Sequence, residues 1–222
     1  LVLLVSCGGG GDGDGAGGDS ATRERLQKMV LQAEDVPAGY LAKDASFSTN
    51  QDISKLVPDP GAQLAKLEAQ GRVLGYQLVY APGSPDADAK VIGIENNASL
   101  YRTAQGAAAS FAEAAAEGKA TDWRITHPGL EEFEVHEIQR PSLADEVLWL
   151  RISGFQDKER SALAIDDLVL LRRGEVRTFM RVIAFVRGGA DREINLKQIE
   201  GWAARQVQLI DGALKEGQKP AP

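Results

Sequence analysis

The feature that most constrains this chain is a pair of long strand-like runs, Ala162–Arg172 and Glu175–Val186, separated only by Arg173-Gly174. The second run alternates: Arg177, Phe179, Arg181, Ile183 and Phe185 take one side, Val176 and Met180 the other. That is the period of a strand with two chemically different faces. A two-residue connection containing glycine joins such runs as an antiparallel hairpin. With Arg173-Gly174 as the loop, Arg172 faces Glu175, Leu168 faces Phe179, and Asp166 faces Arg181 as a cross-strand ion pair. Val169 and Leu171 then join Val176 and Met180 on the core face. A one-residue slip would bury both arginines without partners, which desolvation forbids.

Other segments fit around this hairpin. Arg72–Tyr80 and Val91–Tyr101 alternate as strands, Phe133 and Val135 mark a short one, and Val147–Phe155 a stronger one led by Trp149. Asp59-Pro60 is an N-cap followed by an N1 proline, and Gly71 is a stop signal, bracketing a helix. Thr103 starts an alanine-rich helix ending at Gly118. Asn195–Leu214 places Leu196, Ile199, Ala203, Val207 and Ile210 on one helical face. A short helix spans Arg23–Ala33. The expectation is an α+β domain: a mostly antiparallel twisted sheet with about three helices packed on one face.

Composition narrows the function classes. With 222 residues, 43% of them hydrophobic, the chain suffices for one globular domain, assigned to 25–215, followed by a tail over 216–222. The formal charge of −7 argues against nucleic acid, whose binding rests on cationic counterion release. Cys7 is the only cysteine, so no disulfide forms within the chain.

Residues 1–7 read Leu-Val-Leu-Leu-Val-Ser-Cys, the end of an apolar signal-peptide core. Leu4-Val5-Ser6-Cys7 resembles the lipobox of bacterial lipoproteins, which implies acylation of the Cys7 sulfur and cleavage before it. Two acyl chains anchor a protein stably where one binds marginally. Residues 8–24 begin GGGGDGDGAGG, which has nothing to bury and reads as a flexible tether of about 20–25 Å root-mean-square reach. The expected location is outside the cell, lipid-anchored on the outer side of its membrane.

A second resemblance rests on an ordered set of segments: Asp35-Val36-Pro37-Ala38-Gly39-Tyr40, Gly71-Arg72-Val73-Leu74-Gly75-Tyr76, Leu100-Tyr101 before Gly106-Ala107-Ala108-Ala109-Ser110-Phe111-Ala112, and Leu170-Leu171-Arg172-Arg173-Gly174-Glu175-Val176. Together they resemble actinobacterial-type envelope lipoproteins and the extracellular sensor-like domains attached to some serine/threonine kinases. The resemblance implies an antiparallel sheet with a ligand cleft, and it carries over no catalytic residue.

Catalytic signatures do not appear. The two histidines, His127 and His136, stand in no metal-ligand spacing, and Arg140 occupies the place of the second histidine after His136-Glu137. No P-loop, G-x-S-x-G or S-x-x-K occurs. The group Glu131, Glu132, Glu134 and Glu137 reads as a solvated strand face rather than a catalytic carboxylate pair. No metal, cofactor or catalytic residue is therefore assigned. The candidate binding residues are Trp149 and Arg151 on one strand and Arg177, Phe179 and Arg181 on another. Were these faces to adjoin, they would form an aromatic and cationic floor suited to a lipid, glycan or anionic envelope ligand. The functional expectation is a membrane-tethered, non-catalytic ligand-binding or sensor module, with a lipid or glycolipid carrier as one form of it; the alternative is an envelope hydrolase using convergent carboxylates.

Overall fold

The computed structural model describes residues 20–83, 91–187 and 195–217. Cys7, its lipobox and tether residues 8–19 lie outside them. The elements are α1 (Ser20–Gln27), β1 (Tyr40–Ser48), α2 (Asn50–Ser54), α3 (Pro60–Ala69), β2 (Arg72–Pro82), β3 (Val91–Tyr101), α4 (Ala104–Ala120), α5 (Trp123–Thr126), β4 (Glu131–Glu137), β5 (Glu146–Phe155), β6 (Ala162–Arg173), β7 (Val176–Arg187) and α6 (Leu196–Gly217). The strands form one seven-stranded sheet in the order β1-β2-β3-β7-β6-β5-β4, antiparallel at every pairing. A three-strand meander comes first. Helices α4 and α5 then carry the chain to the far edge, and a four-strand meander returns to the centre. The class is α+β, as the sequence indicates.

The helices divide between both faces of the sheet instead of packing on one. Beneath α6, Ile199, Trp202, Ala203, Val207 and Ile210 bury against Trp149, Val169, Leu171, Val176 and Met180. Leu26 of α1, with Met29, Val30 and Leu31 after it, completes that core. On the opposite face Phe111 of α4 and Trp123 of α5 cover Leu148, Leu150, Ile152, Leu168 and Leu170. The reason is that β5 and β6 are apolar on both sides, so each face needs its own cover. Helix α1 begins at Ser20, inside the segment assigned to the tether. Its Leu26 is fully buried, and Arg25 Nη2 donates to Glu175 Oε1 at 2.7 Å.

Local chemistry sets the boundaries. Asp59 caps α3 by accepting from the Ala62 N–H at 3.0 Å, and Gly71 ends it at φ +71°. Thr103 caps α4 by accepting from the Gly106 N–H at 3.0 Å. The β6–β7 turn is Gly174-Glu175, not Arg173-Gly174, because Arg173 pairs with Val176. Gly174, at φ +57°, occupies the first central position, where a type II′ turn needs positive φ. Asp145 fixes it, accepting from the Gly174 N–H at 2.8 Å and from Arg173 Nη1 at 2.8 Å. Leu168 thus faces Arg181, and Leu170 faces Phe179. The expected partners are displaced by two residues, which preserves every face assignment. Asp166, opposite Ile183, meets Arg181 diagonally.

Strand β1 is an edge that no alternating pattern announces. None of the described helices is long and apolar enough to cross a membrane.

Candidate functional site: a cleft between α3 and α4

The sheet face opposite α6 is only partly covered. Helices α2 and α3 stand over one part, α4 and α5 over another, and a cleft runs between them. It has a polar compartment of about 140 Å³ and an apolar compartment of about 260 Å³. The compartments are continuous, sharing Ile53, Gln63, Asn97, Ala114, Glu117 and Arg177. Together they fall in the size range of small-molecule sites, roughly 300–1,000 Å³.

Strand register explains the floor. One lateral row runs Ser48, Gly75, Ser99, Arg177 across β1, β2, β3 and β7. The next runs Gln77, Asn97, Phe179, Leu170, Leu148, and the next Glu95, Arg181, Leu168, Leu150. The floor is therefore polar over β2 and β3 and leucine-rich over β6 and β5. Strand β7 lies along the seam.

Two guanidiniums dominate the polar end. Parity would place Arg72 with Leu74 on the α6 face, but the register shifts between them and re-aims Arg72 into the cleft. There it is only 4% exposed. Its Nη2 donates to Ser48 Oγ at 2.8 Å, and Nη1 to Ser48 O and Asn50 Oδ1 at 3.1 Å each. These partners are all neutral. Burial, helped by the nearby charge of Arg177, lowers the Arg72 pKa to about 10, so the group stays protonated at neutral pH. Arg177 Nη1 donates to Ser110 Oγ at 2.9 Å, while its Nε has no partner among the described residues.

Two other charges at the cleft, Glu113 and Arg181, are matched. Glu113 of α4 joins Lys66 and accepts from Gln70 Nε2 at 2.9 Å, strapping α3 to α4. Burial opposes ionisation of Glu113, yet these bonds hold its carboxyl below the ordinary range. Arg181 Nη2 donates to Asp166 Oδ2 at 2.6 Å, and His127 Nε2 lies 3.0 Å from the same oxygen. Burial pushes the Glu95 carboxyl up, against the pull of Arg181.

The structure brings together three of the five candidate residues. Arg177, Phe179 and Arg181 share the cleft floor. Trp149 and Arg151 do not join them: Trp149 pairs with Val169, on the α6 face. Trp149 is fully buried, and its Nε1 donates to Asp167 Oδ1 at 2.6 Å. Arg151 grips the same carboxylate through Nε at 2.9 Å and Nη2 at 2.7 Å. This triad is a packed core element that no solvent-borne ligand reaches. Arg72 and the four leucines are the cleft residues that sequence reasoning missed. The alternation of β2 gives no signal for Arg72, because the register shift between Arg72 and Leu74 changes its face.

The β4 glutamates stay outside the cleft and largely exposed. Glu134 meets His136 at 2.9 Å, Glu137 meets Lys119 at 3.0 Å, and Glu132 meets Arg160. Among the described residues, no group of three or more His, Cys, Asp or Glu side chains is placed to hold a metal ion.

No family model matches the chain, and no curated protein matches it. Among solved structures it resembles the extracellular domain of PknH from Mycobacterium tuberculosis, with a TM-score of 0.51 and 10% identity over 86% of this chain and 96% of that one. The likeness is one of fold.

Proposed function

We propose that this chain is an exported, non-catalytic ligand-binding or sensor module of the cell envelope, tethered to the outer side of a membrane by acylation of Cys7. The observation that carries the reading is the cleft: an open, two-compartment groove with a buried, carboxylate-free guanidinium at its polar end. Three further points support it. The fold resembles that of an extracellular domain. Leu4-Val5-Ser6-Cys7 resembles the acylation signal of lipoproteins. Glu113, one of the carboxylates lining the cleft, is taken up by Lys66 and Gln70, which strap α3 to α4 at its polar end.

The test is native mass spectrometry of the chain extracted from its own membrane. A small molecule should be retained by the wild type and lost from Leu168→Glu, which puts a charge on the cleft floor. A wild-type chain of bare mass, or a ligand retained equally by both, contradicts the reading. The anchor is checked separately: Cys7→Ala should be exported and shed into the soluble fraction.

A further inference from the structure

Taking the cleft as the ligand site, the chemistry of its floor narrows the ligand class. Polar and apolar functions are segregated along one groove rather than mixed. At one end lie Arg72 and Arg177, whose hydrogen-bond partners are hydroxyl, amide and carbonyl oxygens. Neither forms a salt bridge among the described residues. The carboxylates lining that compartment are Glu113, which Lys66 and Gln70 take up, and Glu117 on the neighbouring turn of α4. A guanidinium is a rigid fork of donors that matches a carboxylate or phosphate.

At the other end, Leu148 faces Leu170 and Leu150 faces Leu168, giving a contiguous block of four leucines. Phe179 and Trp123 extend it. Leu56, on the rim of this compartment, leaves 43% of its surface exposed. Its side chain continues the apolar lining of the groove out to the solvent, where an acyl chain would cover it. A sugar would leave the apolar lining and its Leu56 rim unmatched, and a small inorganic anion would use only the arginine end.

We infer that the cleft takes an anionic amphiphile, its carboxylate or phosphate head between Arg72 and Arg177 and its acyl chain along the leucines of β5 and β6. The seam strand β7 supplies both functions, with Arg177 toward the head and Phe179 toward the chain. Arg181 is neutralised by Asp166 and contributes its stem to the apolar wall.

Calorimetry on the full chain carrying Cys7→Ala, so that no detergent competes, tests this with four probes: dodecanoate, dodecyl phosphate, dodecanol and inorganic phosphate. The two anionic amphiphiles should bind, dodecanol at least ~10-fold more weakly, and inorganic phosphate without detectable heat. Preference between dodecanoate and dodecyl phosphate separates a fatty-acid head from a phospholipid-type head. Arg177→Gln should weaken both anions by ~10-fold or more and leave dodecanol unchanged. Should that variant fail to fold by circular dichroism, the wild-type comparison of dodecanoate with dodecanol decides. Equal binding of dodecanol and dodecanoate overturns the inference. So does a chain-free polar molecule retained in native mass spectrometry, an outcome that leaves the cleft as a ligand site intact. Absence of both retained ligand and probe binding overturns the two together.

Discussion

The guanidinium of Arg72 lies directly over Gly75, so close that a β-carbon on Gly75 would stand 2.3 Å from Arg72 Nη2. The same β-carbon would come within 2.8 Å of Ser48 Oγ, the acceptor of that guanidinium's shortest hydrogen bond. Arg72 reaches this position because the bulge at Val73 turns it onto the face of Gly75. The missing side chain is what makes room for a buried cation at the polar end of the cleft.

Gly75→Ala should therefore destabilise, although strand propensity alone favours alanine by roughly 0.5–1 kcal/mol. Expelling the guanidinium breaks its bonds to Ser48 and Asn50, at a cost of about 1–3 kcal/mol. Urea denaturation reads the stability, and dodecanoate affinity should fall in the same variant. A more stable protein with unchanged affinity would show that the cradle has no role.

Two glycines of α4 should respond with opposite signs. A β-carbon on Gly118 meets Leu148 Cδ2 at 3.5 Å and Leu150 Cδ1 at 3.6 Å, ordinary van der Waals contacts. Gly118→Ala should thus gain most of the helix-propensity difference, about 0.8–1 kcal/mol. On Gly106 the same atom would sit 2.0 Å from the backbone oxygen of Gln70, where α3 ends against the first turn of α4. Gly106→Ala should lower the melting temperature, because the backbone atom it strikes cannot rotate away.

The candidate residues left on the α6 face should govern stability rather than binding. Asp167→Ala removes the carboxylate that Trp149 Nε1 and Arg151 share in the core, and breaking such a buried pair costs about 3–5 kcal/mol. Arg177→Gln, at the cleft surface, should stay within about 1 kcal/mol of wild type, the scale of one hydrogen bond. Guanidinium denaturation of the two variants separates them. Comparable losses would mean that Arg177 is a structural strut.

Asp166 supplies a pH dependence of defined sign. Burial opposes its ionisation, but hydrogen bonds from His127 and Arg181 outweigh that and hold its pKa below the ordinary value. A depressed folded pKa gives stability that is complete above the unfolded value near ~3.9 and is lost as pH falls through the folded pKa. Stability measured from about pH 5 downward should fall more gently in Asp166→Asn than in wild type. At neutral pH that variant should lose about 3 kcal/mol, the low end for a buried pair, since the Arg181 side chain keeps 21% of its exposure. An unchanged acid slope would contradict the assignment.

Several features were legible in the sequence for identifiable reasons. The α+β class, the α3 and α4 caps and the two faces of β7 followed from alternation and from Asp59, Gly71 and Thr103. The exact turn did not, because glycine suits either central position of a two-residue loop, and only the geometry of Asp145 selects between them. Strand β1 was invisible because an edge strand with mostly exposed residues needs no apolar face. Sequence alone does not separate Trp149 and Arg151 from the face of Arg177, because β5 is buried on both faces from Leu148 to Phe155. In such a strand the hydrophobic pattern carries no phase, and only pairing to β6 says which side is which. The cleft itself depended on a bulge that moves Arg72 across the sheet, which no periodicity encodes.

The location of the ligand site is tested most directly by photo-labelling the full Cys7→Ala chain with a diazirine-bearing dodecanoate and mapping the modified peptides. Labels should concentrate on Leu148–Leu150, Leu168–Leu170 and Phe179, with Trp123 beyond them, and should be displaced by excess dodecanoate. Labels on the α6 face around Trp202 and Val207, or labels scattered without competition, would contradict the assignment of the α3–α4 cleft as the binding site.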